Sequence, residues 1–184
     1  MTTPTKKSRL FARSDINRDE FIDKLRQRWL VERAAVSLYT RALARLTGDA
    51  RHGALVPQLE RFRDQEATHA AMLEQLLGEF GRDPRHEPAT PEVNIGASEM
   101  ATLLELVRGP ELNSDHVLEV LLLAERFDGV GWELLIDEAK EAELDEDYLR
   151  SFRAAGREEA EHDHVLRAHV WRAIEDRLHA AGQP

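Results

Sequence analysis

Cysteine is absent from the 184 residues. That removes disulfides, thiolate metal ligands, iron–sulfur clusters and a cysteine nucleophile together. Any metal must therefore rest on His, Asp or Glu. Positive charge is in deficit, with 25 Lys and Arg against 35 Asp and Glu and a net charge of −10. A surface of that sign argues against nucleic acid or an anionic membrane as the main partner. Long apolar runs are missing too, and none approaches the roughly 18 residues that span a bilayer. The opening stretch, residues 1–16, carries two lysines and three threonines but no apolar signal-peptide core. It is expected to be a flexible arm, with the protein in the cytoplasm.

What is present is helix former. Glycine and proline are few, 10 and 7, and they cluster at Gly48–Gly53, Gly81–Pro91 and Gly109–Pro110. Between them run Ala, Leu, Glu, Arg and Gln. The first long helix is predicted from Asn17, which has capping-box spacing to Glu20, to just before Gly48. A second starts near Pro57 and stops at Gly81. A third begins at Asn113–Asp115, and a fourth covers about 145–178. The segment 81–112 is too long for a hairpin loop and is read as a crossover with a short helix around Met100–Val107. Residues 17–180 thus form one all-α domain, a four-helix bundle of two antiparallel hairpins joined by that crossover.

Steps of three and four give each helix one inward stripe. In the first it reads Leu25, Trp29, Glu32, Val36, Tyr39 and Leu43. The second gives Leu59, Phe62, Glu66, His69, Leu73 and Leu76. The third gives Leu118, Leu122, Glu125, Gly129, Trp132 and Ile136. The fourth gives Phe152, Ala155, Glu159, His162, Leu166 and His169. Every stripe is broken by a Glu, followed three residues later by His in the second and fourth. Four buried carboxylates without compensation would cost several kcal/mol each. Two divalent cations balance them, and neutral imidazoles add nitrogen ligands without changing that balance. Residues i and i+3 share a helix face, so each Glu-x-x-His can reach one ion pair.

The spacing repeats. Glu32 to Glu66 equals Glu125 to Glu159, and Glu32 to His69 equals Glu125 to His162, so the hairpins are related by an offset of 93 residues. The competing pair Glu161 and His164 has the same local spacing. Behind it, however, lie Arg157, Ala154 and Arg150, a polar face.

At Glu32…Tyr39, Glu66-Ala-Thr-His69, Glu125 and Glu159-Ala-Glu-His162 the sequence resembles the ferritin-like di-iron carboxylate superfamily. Within it the bacterioferritin and rubrerythrin branch is nearest. The resemblance implies a ferritin-like bundle in which Glu66 and Glu159 bridge two metal ions, iron or else manganese. Glu32 and His69 complete one ion, and Glu125 and His162 the other. It also implies that Glu158 hydrogen-bonds His69, and Gln65 His162, orienting the imidazoles. Tyr39 matches the inward tyrosine of the family, either as a redox-active residue or as a core phenol bonded to a carboxylate. Asp128, three residues after Glu125, is an extra ligand or a polar neighbour of the core. Ala67 stands where bacterioferritins carry the haem methionine, so no haem is expected. With no cysteine there is no rubredoxin module, and an external electron donor is required.

The implied chemistry is an oxidase or peroxidase using O2 or H2O2, of ferroxidase or peroxide-reducing type. Two alternatives remain: a di-iron monooxygenase acting on a small organic substrate in a cavity beside Tyr39 or Trp132, and a non-enzymatic iron store. A homodimer is the expected assembly. The plain alternative for the six ligands is a set of core polar residues satisfied by hydrogen bonds. His169 is expected to be a core histidine, and His52, His86, His116, His164 and His179 are assigned nothing.

Overall fold

The computed structural model describes residues 10–13 and 15–180. Five helices form among them: α1 Arg18–Leu46, α2 Val56–Glu79, α3 Pro91–Arg108, α4 Ser114–Glu141 and α5 Glu146–Ala180. α1 pairs with α2, α4 with α5, and α1 also packs against α4, giving two hairpins side by side. The 81–112 crossover carries α3, which lies mainly on α1. At 18 residues α3 is longer than its apolar patch implied, because Thr90 caps it and Pro91 occupies its first position, starting the helix well before Met100.

Local chemistry explains the ends. Asn17 accepts from the Glu20 amide, and Asn113 from the His116 amide. α2 stops at Gly81, whose φ of 75° lets the Arg82 amide reach back to the Leu77 carbonyl at 3.0 Å. α4 ends the same way at Glu143, where a non-glycine residue takes φ 49°. That conformation is held from outside: the Ala12 amide bonds the Glu143 carbonyl, and the Asp145 amide bonds the Leu10 carbonyl, both at 3.0 Å.

The N-terminal segment therefore departs from expectation. Residues 1–9 and Ser14 lie outside the described residues. Leu10–Arg13, predicted as part of a free arm, instead clamps the α4–α5 turn. Phe11 is buried there, edge-on to Phe21 at 5.3 Å and stacked on Phe80 at 5.2 Å. Aromatic burial of this size offsets the ordering of four residues.

Two apolar clusters fill the bundle. One gathers Leu38, Leu59, Phe62, Leu103, Leu118 and Leu166. The other gathers Phe21, Leu25, Trp29, Leu73, Trp132 and Phe152. The inward carboxylates lie between Phe62 on one side and Trp132 on the other.

Candidate metal centre

Each of the four long helices delivers its mid-helix Glu to one place. Glu32, Glu66, Glu125, Glu159, His69 and His162 are all 3 % exposed or less. They fall into two overlapping groups, Glu32/Glu66/His69/Glu159 and Glu66/Glu125/Glu159/His162. Within each group one candidate ligand atom per residue lies within 4.8 Å of all the others. Metal–ligand bonds of about 2.1 Å put two donors on one ion about 3–4 Å apart, so either group can close on a cation. Glu66 and Glu159 belong to both.

The imidazoles are aimed. His69 Nε2 donates to Glu158 Oε2 at 2.7 Å, and His162 Nε2 donates to Gln65 Oε1 at 3.0 Å. Protons placed there turn both Nδ1 atoms inward. His69 Nδ1 lies 2.9 Å from Glu159 Oε1 and 3.4 Å from Glu32 Oε2. His162 Nδ1 lies 3.2 Å from Glu66 Oε1, 3.2 Å from Glu125 Oε2 and 3.3 Å from Glu159 Oε2.

The inward atoms are short of partners. Among the described residues, Glu32 Oε2, both oxygens of Glu66, both of Glu159 and His69 Nδ1 are buried with no hydrogen-bond partner beyond these close imidazole–carboxylate approaches. Native cores leave such atoms bare rarely, because each costs about 1–3 kcal/mol. The plain alternative, a core network without metal, would leave these atoms to the two imidazoles alone. A pair of hard divalent ions fits them in number, charge and donor type.

The electrostatics agree. Burial pushes the Glu66 carboxyl up, and the charge of Glu159 adds to it. Burial likewise raises Glu125 to about 7, against the pull of His162. Burial alone would lower both imidazoles, yet hydrogen bonding to the surrounding carboxylates raises His69 to about 11 and His162 to about 12. Burial also works to raise Glu159, but the two imidazoles beside it bring that carboxyl down to about 2. The cluster holds excess negative charge and draws positive charge to its centre.

Around the ligands two different groups steady the terminal carboxylates. The Tyr39 hydroxyl donates to Glu125 Oε1 at 2.5 Å, and burial with the neighbouring carboxylates keeps that phenol protonated. On the pseudo-equivalent side, Arg28 donates to Glu32 Oε1 and forms an ion pair with Asp128. Asp128 is 3 % exposed and belongs to neither metal group; its partner is this guanidinium. Arg28 was not singled out from the sequence, although it sits one turn before Glu32 on the same face. Gly131 leaves the guanidinium its space: a Cβ there would lie 2.0 Å from Arg28 Nη1. His169 joins neither group, and Glu161 pairs with Arg61 at the surface.

An open cleft reaches this cluster between α4 and α5. It encloses about 490 Å³, and its lining includes Glu125, Glu159 and Trp132.

Comparison with known proteins is consistent with this architecture. The ferritin-like domain model matches residues 22–172, a span that contains all six inward residues. No curated protein and no solved structure matches the sequence. On a match covering most of its length and a bundle of the corresponding form, the chain belongs to the ferritin-like domain family.

Proposed function

We propose that the protein is a two-metal oxidase or peroxidase of ferroxidase or peroxide-reducing type, working with iron. The observation that carries this reading is the set of buried, unpartnered carboxylate and imidazole atoms shared by two overlapping groups. Two bound Fe²⁺ ions would supply one electron each, so that H2O2 and two protons leave as two waters, with an external donor restoring the electrons.

The protein's own residues do the rest. Glu66 and Glu159, which lie in both groups, would serve both ions. Glu32 with His69 would complete the set for one ion, and Glu125 with His162 for the other. Glu158 and Gln65 keep the Nε2 protons in place and the Nδ1 lone pairs inward. Tyr39 and Arg28 each hold one oxygen of a terminal carboxylate and leave the other facing inward, where Glu125 Oε2 lies 3.2 Å from His162 Nδ1. The apolar clusters on either side shield the ligands from bulk water except along the α4–α5 cleft, and strengthen each of these interactions.

Metal analysis of protein purified without chelator, followed by Fe²⁺ titration under air, tests the reading. About two ions per chain and oxidation faster than in buffer are expected. No bound metal and no added rate would overturn it. Glu66→Ala should remove both ions, because a bridging carboxylate serves both; full occupancy in that variant contradicts the assignment of bridges.

A second reading, a di-iron monooxygenase for an organic substrate, is favoured by the cleft beside Trp132. Storage would need a closed multi-subunit shell, which size-exclusion mass detects directly.

A further inference from the structure

The two hairpins align at an offset of 93, and among the places where their outer crevices differ are four in which bulk is lost or an acid gives way to a cation. In the α1–α2 hairpin these are Val36, Arg63, Glu60 and Asp64. In the α4–α5 hairpin the same places hold Gly129, Gly156, Arg153 and Arg157. Two side chains have been removed and two acids have become cations.

The removals make room. A Cβ on Gly129 would meet no heavy atom within 4 Å. On Gly156 it would lie 3.4 Å from Ile136 Cδ1 and 3.8 Å from Trp132 Cβ. The space so opened is the cleft of about 490 Å³, within the range that holds small ligands. Its inner lining includes Trp132, Ile136 and the carboxylate-bearing Glu125 and Glu159. Its rim carries Arg126, Arg153 and Arg157 with the acids Glu133 and Asp163, of which Asp163 pairs with Arg126. Arg153 is held by Glu146 at 2.9 Å, whereas Arg157 forms no ion pair among the described residues.

We propose that this cleft binds a small organic anion: a carboxylate on an aromatic or branched apolar body. The proposal rests on the monooxygenase reading above and names its substrate class. Orientation follows from charge. Arg157, free of any ion pair among the described residues, attracts an anionic end, and the inner lining of Trp132 and Ile136 is mainly apolar. The carboxylate therefore sits at Arg157, and the apolar body lies along Trp132 and Ile136 with its far end toward the metal ligands.

The test is calorimetric titration of the purified protein with benzoate and with uncharged benzyl alcohol, metal content being measured on the same sample. Benzoate is expected to bind one per chain, about tenfold tighter than the alcohol, as one charge-assisted contact provides. Arg157→Gln should bring benzoate down to the level of the alcohol. Gly129→Val, which restores the residue of the first hairpin, should block both ligands with metal content unchanged. Equal affinity for the two probes overturns the proposal. So does benzoate binding that survives Arg157→Gln intact, which is the pattern of a carboxylate bound directly to metal. Two ions per chain with no benzoate binding overturns the cleft alone. Benzoate binding of the expected pattern without any metal supports the cleft and overturns the metal centre.

Discussion

At the scale of single residues, the buried Arg28–Asp128 pair is the most exposed to test. Both side chains are sealed from water, Arg28 also holds Glu32, and the guanidinium lies over the Trp132 ring at 5.4 Å. Arg28→Leu leaves Asp128 charged and alone, so the denaturant midpoint should fall by the equivalent of about 3 kcal/mol or more. Adding Asp128→Leu should recover most of that loss, since an apolar pair of similar volume often replaces a buried ion pair at little cost. If the double variant is no better than the single, the pair is not what Arg28 is for. Protons supply a second residue-scale prediction. Glu66 and Glu125 are raised, Glu125 to about 7, and the imidazoles stand at about 11 and 12. Every one of these groups must be deprotonated to take a metal. Mn²⁺ should therefore bind more tightly at about pH 8 than at about pH 6, with protons released on binding. Calorimetry in buffers of different ionisation enthalpy reads that release, and a value of zero would contradict the geometry. The six inward residues were legible in the sequence because they interrupt apolar stripes at matched spacings. Arg28 and Asp128 were not recognised as partners: their pseudo-equivalents, Leu121 and Ala35, are apolar, so the repeat that located the ligands is silent there.

At the scale of elements, the long helices were legible to within a few residues because capping asparagines, Pro57 and Gly81 punctuate strongly apolar periods. Two attachments were not. α3 sits on α1 through Gly96, where an added Cβ would lie 2.9 Å from Val31 Cγ2 and 3.0 Å from Gln27 Cγ. Nothing in a lone glycine tells which helix it touches. Gly96→Val should cost about 1–3 kcal/mol by forcing α3 outward, and should speed proteolysis within 81–112. An unchanged thermal midpoint would mean that α3 is not seated this closely. The other attachment is Phe11, an aromatic in a stretch with no apolar period to show that it is buried. Phe11→Ala empties a place between Phe21 and Phe80 and should lower stability by about 3 kcal/mol. It also frees the strained turn at Glu143, so the start of α5 should fray first, visible as faster amide exchange there.

At the scale of the whole molecule, the hairpin repeat is built around a charge conflict. Four buried carboxylates from four helices meet where, among the described residues, no lysine or arginine side chain other than Arg28 pairs with them. Bound metal therefore reports on the entire bundle, and a chelator should lower the thermal midpoint of cooperative unfolding. A midpoint indifferent to chelator and to added Mn²⁺ would leave the cluster without a role in stability. The repeat is not perfect, however, and its imperfection lies at the cluster itself. Glu32 shares an oxygen with a guanidinium, and Glu125 shares one with a phenol. A cation beside Glu32 sits in a more positive field than its twin beside Glu125. The two positions are thus a strong and a weak member of a pair: filling should be sequential, with the Glu125 side first. In frozen samples carrying ⁵⁷Fe, Mössbauer spectra should resolve two quadrupole doublets rather than one, and a mixed-metal form should sort its two elements between the halves.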